Sequence, residues 1–272
     1  MRFGVMSVDQ ANEWLNTQSL DKEWFSLAEK ASAGTEHIGT PIYLDEIKDT
    51  VKGIKEVAVV AMDTWKCSYL LNSLRESGKI PANSKIVLHN FADVKYPGGY
   101  FAMHNGGAQE ESLCAFSALY PVINNHKYDY DDCYNAVRNV KHKYLNSRFA
   151  PVLYSAGVPT SKEWGSTKDF YLCDYVTAAF LNLKHADKAE DYDEQSWARI
   201  STVLSAVLKN SKDVPTYFVT GAWGCGVFRN DARHVFGDYK RYMDQVMNPD
   251  GNVTVIFAVP GGSNLECARE IF

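Results

Sequence analysis

From residue 56 onward this chain alternates short β-branched runs with helical stretches, and that alternation leaves few folds open. "EVAVVAM" (56–62) reads as a strand buried on both faces. "DTWKCSYLLNSLRES" (63–77) reads as a helix with Asp63 or Thr64 as its N-cap, closed by Gly78 and Pro81. "KIVLHNFA" (85–92) is a second strand. Strand, helix and strand in this order imply a parallel pair joined by a right-handed crossover. The order recurs: "PVLYSAG" and "FYLCDYVTAAF" each hold a strand, and "DEQSWARISTVLSAVLKN" places Trp197, Ile200, Val203, Leu204, Val207 and Leu208 on one helical face. "PTYFVTGAWGCGVF" is a strand running into a glycine-rich loop. "NDARHVFGDYKRYMDQVM" is a helix capped by Asn230 or Asp231, and "NVTVIFAVP" is a last strand. The expected class is α/β, a sheet layered between helices. Residues 9–53 are highly charged and read as mostly helical, with Trp14, Leu15, Trp24, Leu27 and Ala28 near helical spacing. The expected division is therefore a helical N-terminal extension, 1–54, on a catalytic or binding domain, 55–272.

Composition removes several functional classes. The formal net charge of −5 argues against affinity built on neutralising many phosphates, so direct nucleic-acid binding is not expected. One phosphorylated ligand held by backbone N–H groups remains compatible with that charge. The six cysteines form no CxxC, and no HExxH occurs, so no metal is expected. The start, "MRFGVMSVDQANEW", lacks the apolar core of a secretory signal, and "VAVVAM" is far too short to span a bilayer. The expectation is a soluble, cytoplasmic protein with reduced thiols.

Two glycine-rich stretches begin at strand ends, where an open α/β sheet binds its ligands. They are "PGGYFAMHNGG" (97–107) and "GAWGCGVFRND" (221–231). Either can expose consecutive N–H groups, and the second runs into a helix N-terminus, where an anion is favoured. Neither contains the GK[ST] of a P-loop or a GxGxxG, so neither a nucleoside triphosphatase nor a dinucleotide dehydrogenase is indicated. Glu110 and Glu111 follow the first stretch and open the helix "SLCAFSALYPVI". Acidic residues often start helices for dipole reasons alone. Beside a cradle that fits a diphosphate, however, a carboxylate can act as the acid or base for a sugar bond attached to that phosphate. His104, inside the first loop, is a further candidate to face a ligand.

"NFADVKYPGGYFAMHNGGAQEESLC" (90–114) closely resembles the signature of the microbial-type poly(ADP-ribose) glycohydrolases, an NFA…NPGGG stretch followed by AQEE(S/A)LC. "GAWGCGVFRND" resembles the second ligand loop of the same family. The resemblance runs from about residue 55 to 260. It implies a macrodomain-like mixed sheet between helices, binding ADP-ribose or an ADP-ribosylated substrate without metal or cofactor. Carried over by position, Glu111 matches the catalytic glutamate, and Glu110 its partner at the distal ribose, to which Asn90 also bonds. Gln109 positions the glutamates. Gly98 and Gly99 wrap the diphosphate from one side; Gly224, Cys225 and Gly226, with Val227, wrap it from the other. Phe228 matches an aromatic packed against the ligand. Tyr100 departs from the family, standing where it has a third glycine, and is expected to alter which substrate fits. The segment "YVTAAFLNLK" also lacks an expected Ala-Pro-Asn.

The implied function is hydrolysis of an ADP-ribosyl O-glycosidic bond, with Glu111 as general acid and base. The alternatives are a module that binds or sequesters ADP-ribose or an NAD-derived nucleotide without turnover, and deacylation of an acylated ADP-ribose. Trp223 is read as pocket wall or core, and the tail "GGSNLECAREIF" as an ordinary surface end with a short helix.

Overall fold

The computed structural model describes residues 22–93, 96–101, 107–126, 151–184 and 191–272. Its centre is a seven-stranded sheet in the order β1-β4-β5-β3-β6-β7-β2. The strands are β1 (Glu36–Ile38), β2 (Ile54–Val60), β3 (Lys85–Phe91), β4 (Val152–Ser161), β5 (Phe170–Ala178), β6 (Thr216–Thr220) and β7 (Val253–Ala258). β5, β3, β6, β7 and β2 are successive parallel neighbours, whereas β4 pairs antiparallel with both β5 and β1. Register aligns the carboxyl ends of the parallel strands along one edge: Phe91 opposite Ala178, Thr220 opposite Phe257, and Val60 opposite Ala258.

Helices cover both faces, which is why the central strands read as unbroken apolar runs. Side chains alternate between the faces with a period of two. Val87, Phe218, Val255 and Phe257 enter one core, and Ile86, Leu88, Val219 and Ile256 the other. The first core is closed by α2 (Leu44–Ile47), α6 (Tyr192–Ser211), α7 (Ala232–Met243) and α8 (Gly262–Ile271). The second is closed by α1 (Lys22–Ala33), α3 (Thr64–Glu76), α4 (Gln109–Ala115) and α5 (Leu119–Asn124). Among the described residues no helix is long and apolar enough to cross a membrane.

The mixed α/β architecture agrees with the sequence expectation. Asp63 caps α3 by accepting from the Lys66 N–H at 2.8 Å, and Asp231 caps α7 by accepting from Arg233 N–H at 3.0 Å. Ile200, Val203, Leu204, Val207 and Leu208 are buried along α6. Two features were not legible. β4 continues through Gly157 and Pro159 to Ser161, because a register shift between Ser155 and Val158 absorbs the glycine within the strand. In addition, residues 36–38 enter the sheet as its edge strand, beside β4. Trp24 and Ala28 are buried on α1, while Trp14, Leu15 and His104 lie outside the described residues.

Candidate active site

The chain leaving β3 is wrapped around two carboxylates. Glu110 and Glu111, in the first turn of α4, are 2 % and 6 % exposed. Glu110 Oε1 accepts from Asn90 Nδ2 at 3.1 Å and from the Gly98 N–H at 3.0 Å, and Oε2 accepts from the Asp93 N–H at 2.6 Å. Glu111 Oε1 accepts from the Tyr100 N–H at 3.1 Å. Its other oxygen, Oε2, is buried and has no hydrogen-bond partner among the described residues. Gly99 has a positive φ of 58°, and a Cβ built there would stand 2.5 Å from Glu111 Oε1. Only glycine lets the loop pass this close to the carboxylate.

Gln109 ties the pair to the sheet. Its Oε1 accepts from the Phe91 N–H at 2.9 Å, while Nε2 donates to the His89 carbonyl at 2.6 Å and to Thr64 Oγ1 at 3.1 Å. One amide thus fixes the end of β3, the start of α3 and the start of α4 together.

Loss of water pushes the Glu110 carboxyl up to about 8, although the N–H donors from Asp93, Asn90 and Gly98 favour its charged form. Burial outweighs these donors and favours the proton-bound form. Nearby, burial depresses the His89 imidazole to about 3 and keeps it neutral.

The second loop rises from the end of β6. Gly224, with φ 75°, lies where a Cβ would come within 2.6 Å of Phe180 Cδ1 and 2.9 Å of Asn230 Nδ2. Asn230 is buried beneath it. Its Nδ2 donates to the Leu181 carbonyl at 2.6 Å and to the Gly224 carbonyl at 2.9 Å, and its Oδ1 accepts from Tyr192 Oη at 2.8 Å. The Cys225 thiol is pushed up to about 12, chiefly by burial, which leaves it a poor nucleophile.

Between the loops lies a cleft of about 660 Å³, within the size range of small-molecule sites. Tyr100, Gln109, Glu110 and Glu111 line it from the first loop and α4. Gly224, Gly226, Val227 and Phe228 line it from the second. Asn90, Gly98, Gly99 and Cys225 stand outside its lining: Asn90 and Gly98 hold Glu110, and Gly99 makes room for Glu111. Trp223 is both wall and core, 1 % exposed and edge-on to His89 at 4.4 Å.

Sequence reasoning missed two walls. Asp63, Thr64 and Trp65 line the cleft at the start of α3, and Val259, Pro260, Gly261 and Asn264 line it after β7. The segment read as an ordinary surface tail therefore begins inside the site. The available signal was the strand-end rule itself, since "AVPGGSN" follows a parallel strand just as the other two loops do.

Known structures share this fold. The chain is 23 % identical to Thermomonospora curvata poly(ADP-ribose) glycohydrolase bound to the inhibitor ADP-HPD, with a TM-score of 0.67 over 91 % of this chain and 88 % of that one. It is 23 % identical to Deinococcus radiodurans poly(ADP-ribose) glycohydrolase in complex with ADP-ribose, with a TM-score of 0.70 over 90 % and 96 % of the two chains. At that identity the likeness establishes the fold. No curated protein sequence is significantly similar to the chain. The family model "Microbial-type PARG, catalytic domain" matches residues 10–163, more than half of the chain, including the first glycine loop and both glutamates but not the second loop. This chain belongs to the microbial-type poly(ADP-ribose) glycohydrolase (PARG) catalytic-domain family.

Proposed function

We propose that this chain cleaves the O-glycosidic bond between C1″ of an ADP-ribosyl group and the oxygen of its conjugate, with Glu111 as general acid and then general base. The observation that carries this reading is the buried, unpartnered Oε2 of Glu111, on a carboxylate that lines the cleft and is held at its other oxygen by the Tyr100 N–H. A buried carboxyl oxygen without a partner is costly in a folded protein unless a ligand or reacting group supplies one. A distal ribose in the cleft supplies it. As the C1″–O bond breaks, Glu111 donates a proton to the departing oxygen and positive charge develops at C1″. Water then adds its oxygen to C1″ and returns a proton to Glu111. The products are ADP-ribose and the free hydroxyl of the conjugate, and the carboxyl is restored.

The remaining residues serve binding. Glu110 offers the distal ribose a polar wall while keeping the loop folded around it. The second loop presents backbone at Gly224 and Gly226 to the diphosphate, and Phe228 gives the ligand an aromatic contact.

Product analysis with poly(ADP-ribosyl)ated protein tests the proposal. Wild type is expected to release ADP-ribose, and Glu111→Gln to lose at least about a hundredfold in rate while still binding ADP-ribose in a titration. Tight binding without turnover by either form would replace the hydrolase reading with a sequestering module. Absence of ADP-ribose binding would remove both.

A further inference from the structure

Tyr96 and Tyr100 stand side by side, their ring centroids 6.1 Å apart and their planes inclined by 45°. Each is 47 % exposed, and neither belongs to the two core clusters. The backbone brings the rings together. The Gly99 N–H donates to the Tyr96 carbonyl at 2.8 Å and the Phe101 N–H to the Gly98 carbonyl at 3.0 Å, so the chain reverses between the tyrosines. Asp93 Oδ1 accepts from the Tyr96 N–H at 3.0 Å and fixes the start of the turn. At its end the Tyr100 N–H holds Glu111 Oε1 at 3.1 Å, and the Tyr100 side chain lines the cleft. The aromatic pair is thus mounted on the same turn that orients the carboxylate.

The departing oxygen must come within hydrogen-bond reach of Glu111, and the Tyr100 side chain lines the same cleft as that carboxylate. A serine or glutamate conjugate offers these rings no flat surface, whereas a purine does, because every base has a face that stacks on an aromatic side chain. The net charge of −5 makes stacking, rather than phosphate neutralisation, the available source of affinity for a nucleotide chain. We infer that Tyr96 and Tyr100 form a stacking platform for the leaving group, selecting conjugates whose departing oxygen belongs to a nucleoside, as in the next unit of an ADP-ribose polymer. This rests on the assignment of Glu111 made above, and it gives a role to the tyrosine that replaces a family glycine.

The test uses a Glu111→Gln background, so that nothing is turned over, and compares free ADP-ribose with a purified ADP-ribose dimer. The readout is the ratio of the two Kd values. The parent is expected to prefer the dimer. Tyr100→Ala and Tyr96→Ala are each expected to lower that preference by roughly tenfold, the usual scale of one base–aromatic stack, and Tyr100→Phe to restore it. A parent without dimer preference, or Ala variants with an unchanged ratio, would overturn the platform and leave the Glu111 reading standing on wild-type hydrolysis. If the parent bound neither ligand, the cleft assignment would fall and the platform with it.

Discussion

Gln109 shows how much a single side chain can do here without touching the reacting bond. Its amide satisfies the Phe91 N–H, the His89 carbonyl and Thr64 Oγ1 at once. Truncation leaves these groups with no replacement, and each orphaned buried group costs about 1–3 kcal/mol. Gln109→Ala is expected to lower the urea midpoint by the equivalent of roughly 2 kcal/mol or more, and to slow hydrolysis because α4 then loses its tether to β3. An unchanged midpoint would mean that water takes over the three bonds. The adjacent glutamates were legible because chain neighbours are visible in any sequence. Their different environments were not. Glu110 is enclosed by Asn90, Asp93 and Gly98, contacts that exist only once the loop has folded back on β3.

Among elements, the second loop depends on a strut that is not itself in the cleft. Asn230 joins the Gly224 and Leu181 carbonyls to the Tyr192 hydroxyl, linking β6, the segment after β5, and α6. Asn230→Ala is expected to cost about 2–3 kcal/mol and to weaken ADP-ribose binding by roughly tenfold as the loop loses its fixed shape. Isothermal titration beside thermal melting separates the two effects; loss of stability with unchanged affinity would confine Asn230 to the fold. From sequence, Asn230 was one of two candidates for a helix cap. The structure gives the cap to Asp231 and turns Asn230 inward beneath Gly224, where a Cβ would meet its amide nitrogen at 2.9 Å. The β7 loop was missed for a related reason. A glycine-rich tail has the same local chemistry whether it faces solvent or ligand, and only its place beside β6 in the sheet decides.

For the whole molecule, two buried groups on and beside β3 shape the dependence of stability on pH. Glu110 titrates near 8 in the fold and at about 4.5 when unfolded, so the folded state holds the extra proton between those values and its stability falls as pH rises through that window. His89 titrates near 3 in the fold and at about 6.5 when unfolded, so there the unfolded state holds the extra proton and stability falls as pH drops. Where the windows overlap, the slopes cancel. The melting temperature of the ligand-free protein is therefore expected to be highest between about pH 4.5 and 6.5, and to decline on both sides. Glu110→Gln is expected to flatten the decline above pH 6.5, which is about 2 kcal/mol by pH 8, and to leave the acid limb in place. A wild-type profile that rises from pH 6.5 to 8 would contradict the burial of a protonated Glu110.

The sequence by itself determined the alternation of strands and helices, the caps of two helices to within one residue, and the position of a glutamate pair behind a glycine loop. These follow from local rules, since apolar periodicity, capping and backbone freedom act over a few residues. Only the tertiary structure decided that residues 36–38 extend the sheet, and that β4 runs on through Gly157. It alone also placed Asn90 behind Glu110, made the β7 loop a wall of the cleft, and set Tyr96 against Tyr100. Each of these is a contact between groups whose partner is chosen by sheet order and loop closure, and no local preference of either residue specifies that choice.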